Sequence, residues 1–146
     1  MSALVRAGSL HDATAIAAVE AAAAHRPWSR VDVDRHLVDP ARCTLVVEQE
    51  GSVVGHALAS VAADEGELLS IAVHPSARRL GLGGQLLSGL IAEWADRGVG
   101  TGWLEVREDN VAAVALYVAH DWRDAGRRKG YYHDGVDALV MRREVC

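Results

Sequence analysis

Residues 78–84 read RRLGLGG, and they stand between the apolar run LLSIAV at 68–73 and the amphipathic run QLLSGLIAEWADR at 85–97. Pro75 ends the first run, and glycines at 81, 83 and 84 free the backbone to turn sharply before a helix begins. Leu86, Leu87, Leu90, Ile91 and Trp94 share one face of that helix, with Gln85, Glu93, Asp96 and Arg97 elsewhere. Gly98-Val99-Gly100 stops it, and GWLEV at 102–106 supplies another strand. A strand, a glycine turn, a helix and a strand in succession require a sheet with a helix packed on its face.

The rest of the chain elaborates that unit. Ala3 to Arg6 reads as a first strand, and Asp12 is placed to cap a helix through ATAIAAVEAAAAH that ends before Pro27. Ser29-Arg30-Val31-Asp32 has the pattern of a capping box, opening a short helix that stops at Asp39-Pro40. Thr44 to Glu48 and Ser52 to Val61 are β-branched runs joined around Gly51, and Glu67 to Val73 is a strand apolar on both faces at its end. Asn110 is placed to cap the helix VAAVALYVA, after which Trp122 to Arg127 and Asp137 to Arg143 read as a closing strand pair. The expected fold class is therefore α/β (α+β): one mixed sheet of about seven strands with about four helices on both faces, in a single domain over 1–146.

Composition narrows the class of function. Half of the 146 residues are hydrophobic and 24% are charged, which suits a globular core. Apolar runs fall short of the ~20 residues that a membrane-spanning helix needs. The opening MSALVRAGSLHD has no basic segment followed by a long apolar run, so no secretory signal is expected. A net charge of -5 argues against a broad nucleic-acid grip, which requires concentrated positive charge. Cys43 and Cys146 form neither a disulfide framework nor a metal box, and a cytoplasmic protein is expected. His74, His120 and His133 lack metal-ligand spacing, so no metal is expected.

The glycine turn carries the chemistry. A helix begins with unpaired N–H groups and a partial positive charge, so a glycine loop leading into one is an anion site. No Gly-Lys-Ser/Thr follows, which removes nucleotide hydrolysis of the P-loop kind, and Leu86 stands where a dinucleotide fingerprint would place its third glycine. Arg78-x-x-Gly81-x-Gly83 matches the Gln/Arg-x-x-Gly-x-Gly/Ala signature of the GNAT superfamily of acetyl-coenzyme A dependent N-acetyltransferases, and the element order resembles that family throughout. That resemblance implies the GNAT fold, with a mostly antiparallel sheet, and acetyl-CoA as cofactor. It implies that the amides of Arg78, Arg79, Leu80, Gly81, Leu82, Gly83 and Gly84 hold the coenzyme's pyrophosphate. Ile71, Ala72 and Val73 would then offer backbone hydrogen bonds to the pantetheine arm.

A closer likeness covers most of the chain. LEVREDNVAAVALY at 104–117, Pro27-Trp28-Ser29, LLSIAVHP and Arg128-Lys129-Gly130-Tyr131-Tyr132 resemble RimI-type enzymes, bacterial acetyltransferases of the N-terminal alanine of a small-subunit ribosomal protein. The resemblance implies Glu105 as general base and Tyr117 as the acid that protonates the departing thiolate; Glu67, at the start of the preceding strand, is the alternative base and an expected substrate-binding residue. Asn110 would both cap its helix and touch the pantetheine. Trp28, Tyr131 and Tyr132 would line the channel for a protein or peptide N-terminus, a ribosomal protein among the acceptors that the likeness implies.

Other readings of the same residues stand beside these. Glu105 in a strand can instead pair with an arginine, and Tyr117 on an apolar helix can be a core residue. The same parts would serve a small amine or a lysine side chain, and the glycine loop alone would serve a non-catalytic acetyl-CoA binding module. Relatives usually carry Gly-Phe where this chain has Asp121-Trp122, a departure that bears on the turn after the helix.

Overall fold

The computed structural model describes residues 3–78 and 80–145. Seven strands form one sheet: β1 (Ala3–Ala7), β2 (Arg42–Gln49), β3 (Ser52–Ala62), β4 (Glu65–Val73), β5 (Thr101–Arg107), β6 (Arg123–Arg128) and β7 (Ala138–Glu144). Their spatial order is β1-β2-β3-β4-β5-β7-β6. Every neighbouring pair is antiparallel except β4 and β5. The helices are α1 (Ala13–Ala23), α2 (Arg30–Val38), α3 (Leu82–Asp96) and α4 (Val111–Ala119). No helix among the described residues is long and apolar enough to cross a membrane.

The two faces of the sheet carry separate cores. Ile16 of α1 and Val33 of α2 pack on Val46 and Leu58 from one side. Leu82, Leu86, Leu87, Leu90 and Trp94 of α3, with Tyr117 of α4, pack with Leu45, Leu68, Leu104 and Trp122 on the other. The five expected residues of the α3 face are thus the ones turned to the sheet, with Ile91 at its margin. Gly98 ends the helix in a left-handed conformation, and the Val99 N–H reaches back to the Trp94 carbonyl at 2.9 Å.

Local chemistry explains most boundaries. Glu50 and Gly51, both at positive φ, make the two-residue turn between β2 and β3 that the twist of paired strands favours. Ser29 caps α2 by accepting from the Asp32 N–H at 3.1 Å. Two expectations for α1 are corrected. Asp12 makes no side-chain cap for α1; its carboxylate accepts from the Ser9 N–H at 2.9 Å, closing a capping box around the preceding 3-10 turn. The helix also stops at Ala23, short of His25, because Ala24 turns extended while its N–H remains bonded to the Glu20 carbonyl.

The feature that shapes the site lies in β4. Its register with β3 passes from Leu58↔Ser70 to Ala59↔Leu68, so Leu69 is an extra, unpaired residue. Such a bulge bends its strand and increases the twist. The ladder with β5 runs through Glu65↔Thr101, Gly66↔Gly102, Glu67↔Trp103 and Leu68↔Leu104 and goes no further. Beneath the paired section, Trp94 lies so close that a Cβ on Gly66 or Gly102 would approach its indole to 2.4 or 2.5 Å. The strands are fastened where they pair and part beyond the bulge.

Candidate active site

Parting of β4 from β5 opens a groove of about 350 Å³. Residues 69–73 form one wall and Glu105, Val106 and Arg107 the other. The end of α1 and the segment through Trp28 line it, as do Gly83 of α3, Asn110 at the head of α4, Ala113, Leu116 and Tyr117 of α4, and Tyr132.

Of the residues expected to serve the site, Trp28, Ile71, Ala72, Val73, Gly83, Glu105, Asn110, Tyr117 and Tyr132 meet in this groove. The other described ones stand outside its lining. Glu67 lines an adjoining hollow on β4 and β5, which Glu105 also borders. Tyr131 is exposed and stands edge-on to Tyr132, ring centres 5.2 Å apart. Leu80 is exposed, and the Leu82 side chain is in the core. Arg79 lies outside the described residues.

The glycines divide their labour. Gly81 alone of the three takes a left-handed conformation, φ +75°, and is the N-cap of α3. Gly83 and Gly84 are small because α4 presses on them: a Cβ would come within 3.1 Å of Leu116 at the first and 2.6 Å of the His120 ring at the second. The first bond within α3 runs from the Gln85 N–H to the Gly81 carbonyl at 3.2 Å. The N–H groups of residues 82–84 precede it and have no helical acceptor among the described residues. Arg78 turns back, its Nε donating to the Val73 carbonyl at 3.4 Å, and so joins the loop to the end of β4.

Glu105 projects from β5 on the side of Trp103 and Arg107. Arg128 Nε sits 2.6 Å from Glu105 Oε2, but out of line for a hydrogen bond, so this buried oxygen has no aligned donor among the described residues. The arginine anticipated as an alternative partner is therefore present. Its side chain is 58% exposed, which makes the pair weakly stabilising. Across the groove Tyr117 is buried, and burial pushes its phenol well above the usual tyrosine range. It enters any chemistry as a protonated hydroxyl. Asn110 caps α4, its Oδ1 accepting from the Ala113 N–H at 3.2 Å.

Two constructions were not foreseen. Arg107 forks onto Asp109 and Asp134, with NH2 at 3.0 and 2.7 Å, and lies 4.9 Å from the centre of the Tyr132 ring. Tyr132 is thereby held over the groove, where burial and the Glu105 carboxylate push its phenol upward. The second is a buried cluster. Glu20 Oε2 accepts from His56 Nε2 at 2.6 Å and Ser70 Oγ at 2.7 Å, while Oε1 accepts from the Trp28 N–H at 3.1 Å. Burial alone would raise the Glu20 carboxyl, yet these donors prevail and hold it below the usual range. A glutamate within VEAAAA and a histidine within VVGHALAS were the available signals, polar residues on otherwise apolar segments.

Residues 12–122 match the model of the acetyltransferase (GNAT) family. The chain belongs to that family. As a GNAT protein it is 46% identical over 96 residues to the [ribosomal protein bS18]-alanine N-acetyltransferase of Escherichia coli strain K12, covering 64% of this chain and spanning 65% of that relative's length. It is 30% identical over 141 residues to a putative enzyme of the same name from Bacillus subtilis, covering 95% of this chain and 93% of that protein. The crystal structure of the ribosomal-protein-S18-alanine N-acetyltransferase from E. coli superposes with a TM-score of 0.91 at 35% identity, over 99% of this chain and 94% of that one. The fold is the GNAT fold expected from the glycine signature.

Proposed function

We propose that this protein is an acetyl-CoA-dependent N-acetyltransferase whose acceptor is the α-amine of a peptide or protein N-terminus, with the first residue of a ribosomal protein as the leading candidate. The observation that carries the reading is the coincidence, in one groove, of parted strand edges, Gly83 in the first turn of α3, Glu105 and Tyr117.

The groove suits the cofactor on physical grounds. An extended pantetheine arm can lie along β4 beyond Leu68, where the main chain has no β5 partner. The N–H groups of residues 82–84 suit a pyrophosphate at the head of a helix, and only a residue tolerant of left-handed geometry serves as that helix's N-cap. When bound, acetyl-CoA supplies the acetyl group as a thioester.

The chain's own groups handle the protons. A peptide α-amine titrates at about 8, so a modest base suffices at neutral pH. Glu105 takes that proton, directly or through one water, as the amine nitrogen attacks the acetyl carbonyl. Tyr117, protonated at neutral pH, delivers a proton to the departing sulfur. Trp28 and Tyr132 flank the entrance for the acceptor's first residues. Residues 1–146 act as one domain in this reading, working in the cytoplasm. Glu67, in the adjoining hollow, takes no part in proton transfer.

The test is a thiol-release assay with Ala-initial peptides set beside small amines and lysine-containing peptides with blocked N-termini. Turnover confined to free N-termini supports the proposal. Turnover only with small amines or blocked lysine peptides refutes the acceptor assignment, and tight CoA binding with no turnover on any amine identifies a binding module instead.

A further inference from the structure

Among the polar groups lining the groove, Ser70 is the one whose hydroxyl is bonded to a fully buried carboxylate. It follows the bulged Leu69 and lines the acceptor side near Trp28. Its Oγ lies 2.7 Å from Oε2 of Glu20, a side chain with no exposure to solvent. An ionised carboxylate only accepts hydrogen bonds, so the hydroxyl proton of Ser70 is committed to Glu20. The His56 Nε2 contact at 2.6 Å imposes the same logic: that nitrogen carries its proton toward Glu20 as well. His56 is itself sealed from solvent and its Nδ1 has no partner among the described residues, so the imidazole cannot turn to another acceptor without losing this bond.

A serine whose proton is held from behind shows only lone pairs in front. We propose that Ser70 is an acceptor-binding residue: its Oγ receives an N–H of the incoming α-amine, and Glu20 is the positioning residue that fixes the hydroxyl in that sense. The inference rests on the acetyltransferase reading and extends it. Glu20 secures the other wall as well, because its second oxygen holds the Trp28 N–H. One carboxylate thus sets both the orientation of the hydroxyl and the width of the entrance. Ligands with a basic nitrogen bearing at least one N–H fit the arrangement, and a trimethylated α-nitrogen does not.

The experiment compares the full-length protein with Ser70→Ala, Ser70→Thr and Glu20→Gln, measuring kcat and KM for an Ala-initial peptide, Kd for CoA, and binding of that peptide to the CoA-loaded protein by calorimetry. Ser70→Ala is expected to raise KM and weaken peptide binding by about fivefold, the effect of one neutral hydrogen bond, with kcat and CoA affinity kept within about twofold. Ser70→Thr, which keeps the hydroxyl, restores peptide binding. Glu20→Gln can donate to Ser70 and reverse its hydroxyl, so it reproduces the rise in KM. Unchanged peptide binding in Ser70→Ala overturns the proposal, as does an equal loss of CoA affinity, which would show a collapsed groove. If the wild type transfers no acetyl group to any peptide, the acetyltransferase reading fails by itself. Calorimetry with the peptide still decides the role of Ser70.

Discussion

Leu68 and Leu104 are the last matched pair of the parallel β4–β5 ladder, and the next residue of each strand, Leu69 and Glu105, already lines the groove. The carboxylate to which the proposed function assigns proton abstraction therefore sits at the fork itself. Glu105→Gln keeps its shape and removes the charge, and kcat is expected to fall by about 10²–10³-fold with unchanged CoA affinity. Tyr117→Phe is expected to fall less, by about tenfold to a hundredfold, since water can substitute for a lost proton donor. Stopped-flow thiol release with parallel calorimetry checks both.

Arg107 lines the groove and anchors the segment that carries Tyr132. Its fork satisfies Asp109 and Asp134, and Tyr132 rests on it. Arg107→Lys retains charge but cannot bridge two carboxylates in that geometry. The expected outcome is a several-fold rise in peptide KM with kcat preserved, and faster amide exchange at Tyr132 and Gly135, whose N–H groups bond to the Val136 and Tyr132 carbonyls. Hydrogen exchange read by mass spectrometry would show it.

Asp121 stands where the family resemblance implies glycine, and it holds a left-handed φ of 72°. Its contacts to Arg143 and Arg123, at 3.7 and 4.0 Å, join an exposed carboxylate and add little. Asp121→Gly is expected to stabilise the protein by about 0.5–1 kcal/mol, raising Tm by about 2–4 °C with activity unchanged. Differential scanning calorimetry checks it. Trp122 beside it is fully buried against Trp94, ring centres 6.3 Å apart.

Acid should unfold the protein through two buried carboxylates. The Arg6 guanidinium holds Asp12 below its usual range, and His56, the Trp28 N–H and Ser70 do the same for Glu20 against the opposing effect of burial. A carboxyl whose folded pKa is depressed contributes stability that is fully present above its unfolded value, about 4, and is lost as pH falls through the folded one. Tm is therefore expected to be flat near neutrality and to drop below about pH 4. Asp12→Asn should lower Tm at pH 7 and flatten the acid limb. A parallel downward shift at every pH would count against this account.

Much of the molecule was legible from residue order because local rules and tertiary packing agree. The α3 face, the Ser29 cap, the Asn110 cap and the glycine turn each rest on interactions within a few residues of themselves. Glu105 and Tyr117 were reached through likeness to a family. The remainder depends on distant pairing. Nothing local announces that Leu69 is unpaired, since a bulge is defined by the neighbouring strand. Glu20 and Ser70 meet across 50 positions of sequence. The closeness of Leu116 to Gly83 and of His120 to Gly84 likewise joins residues far apart in the chain.

The supernumerary Leu69 has one more effect. Side chains along a strand alternate sides, so an odd residue inverts the parity of everything after it. Ser70 joins Leu69 on the α1 side for that reason alone; with even spacing it would point to the α3 core, beyond the reach of Glu20. A single leucine acts as a phase shift in the strand, converting what would be an interior hydroxyl into one that looks into the cleft.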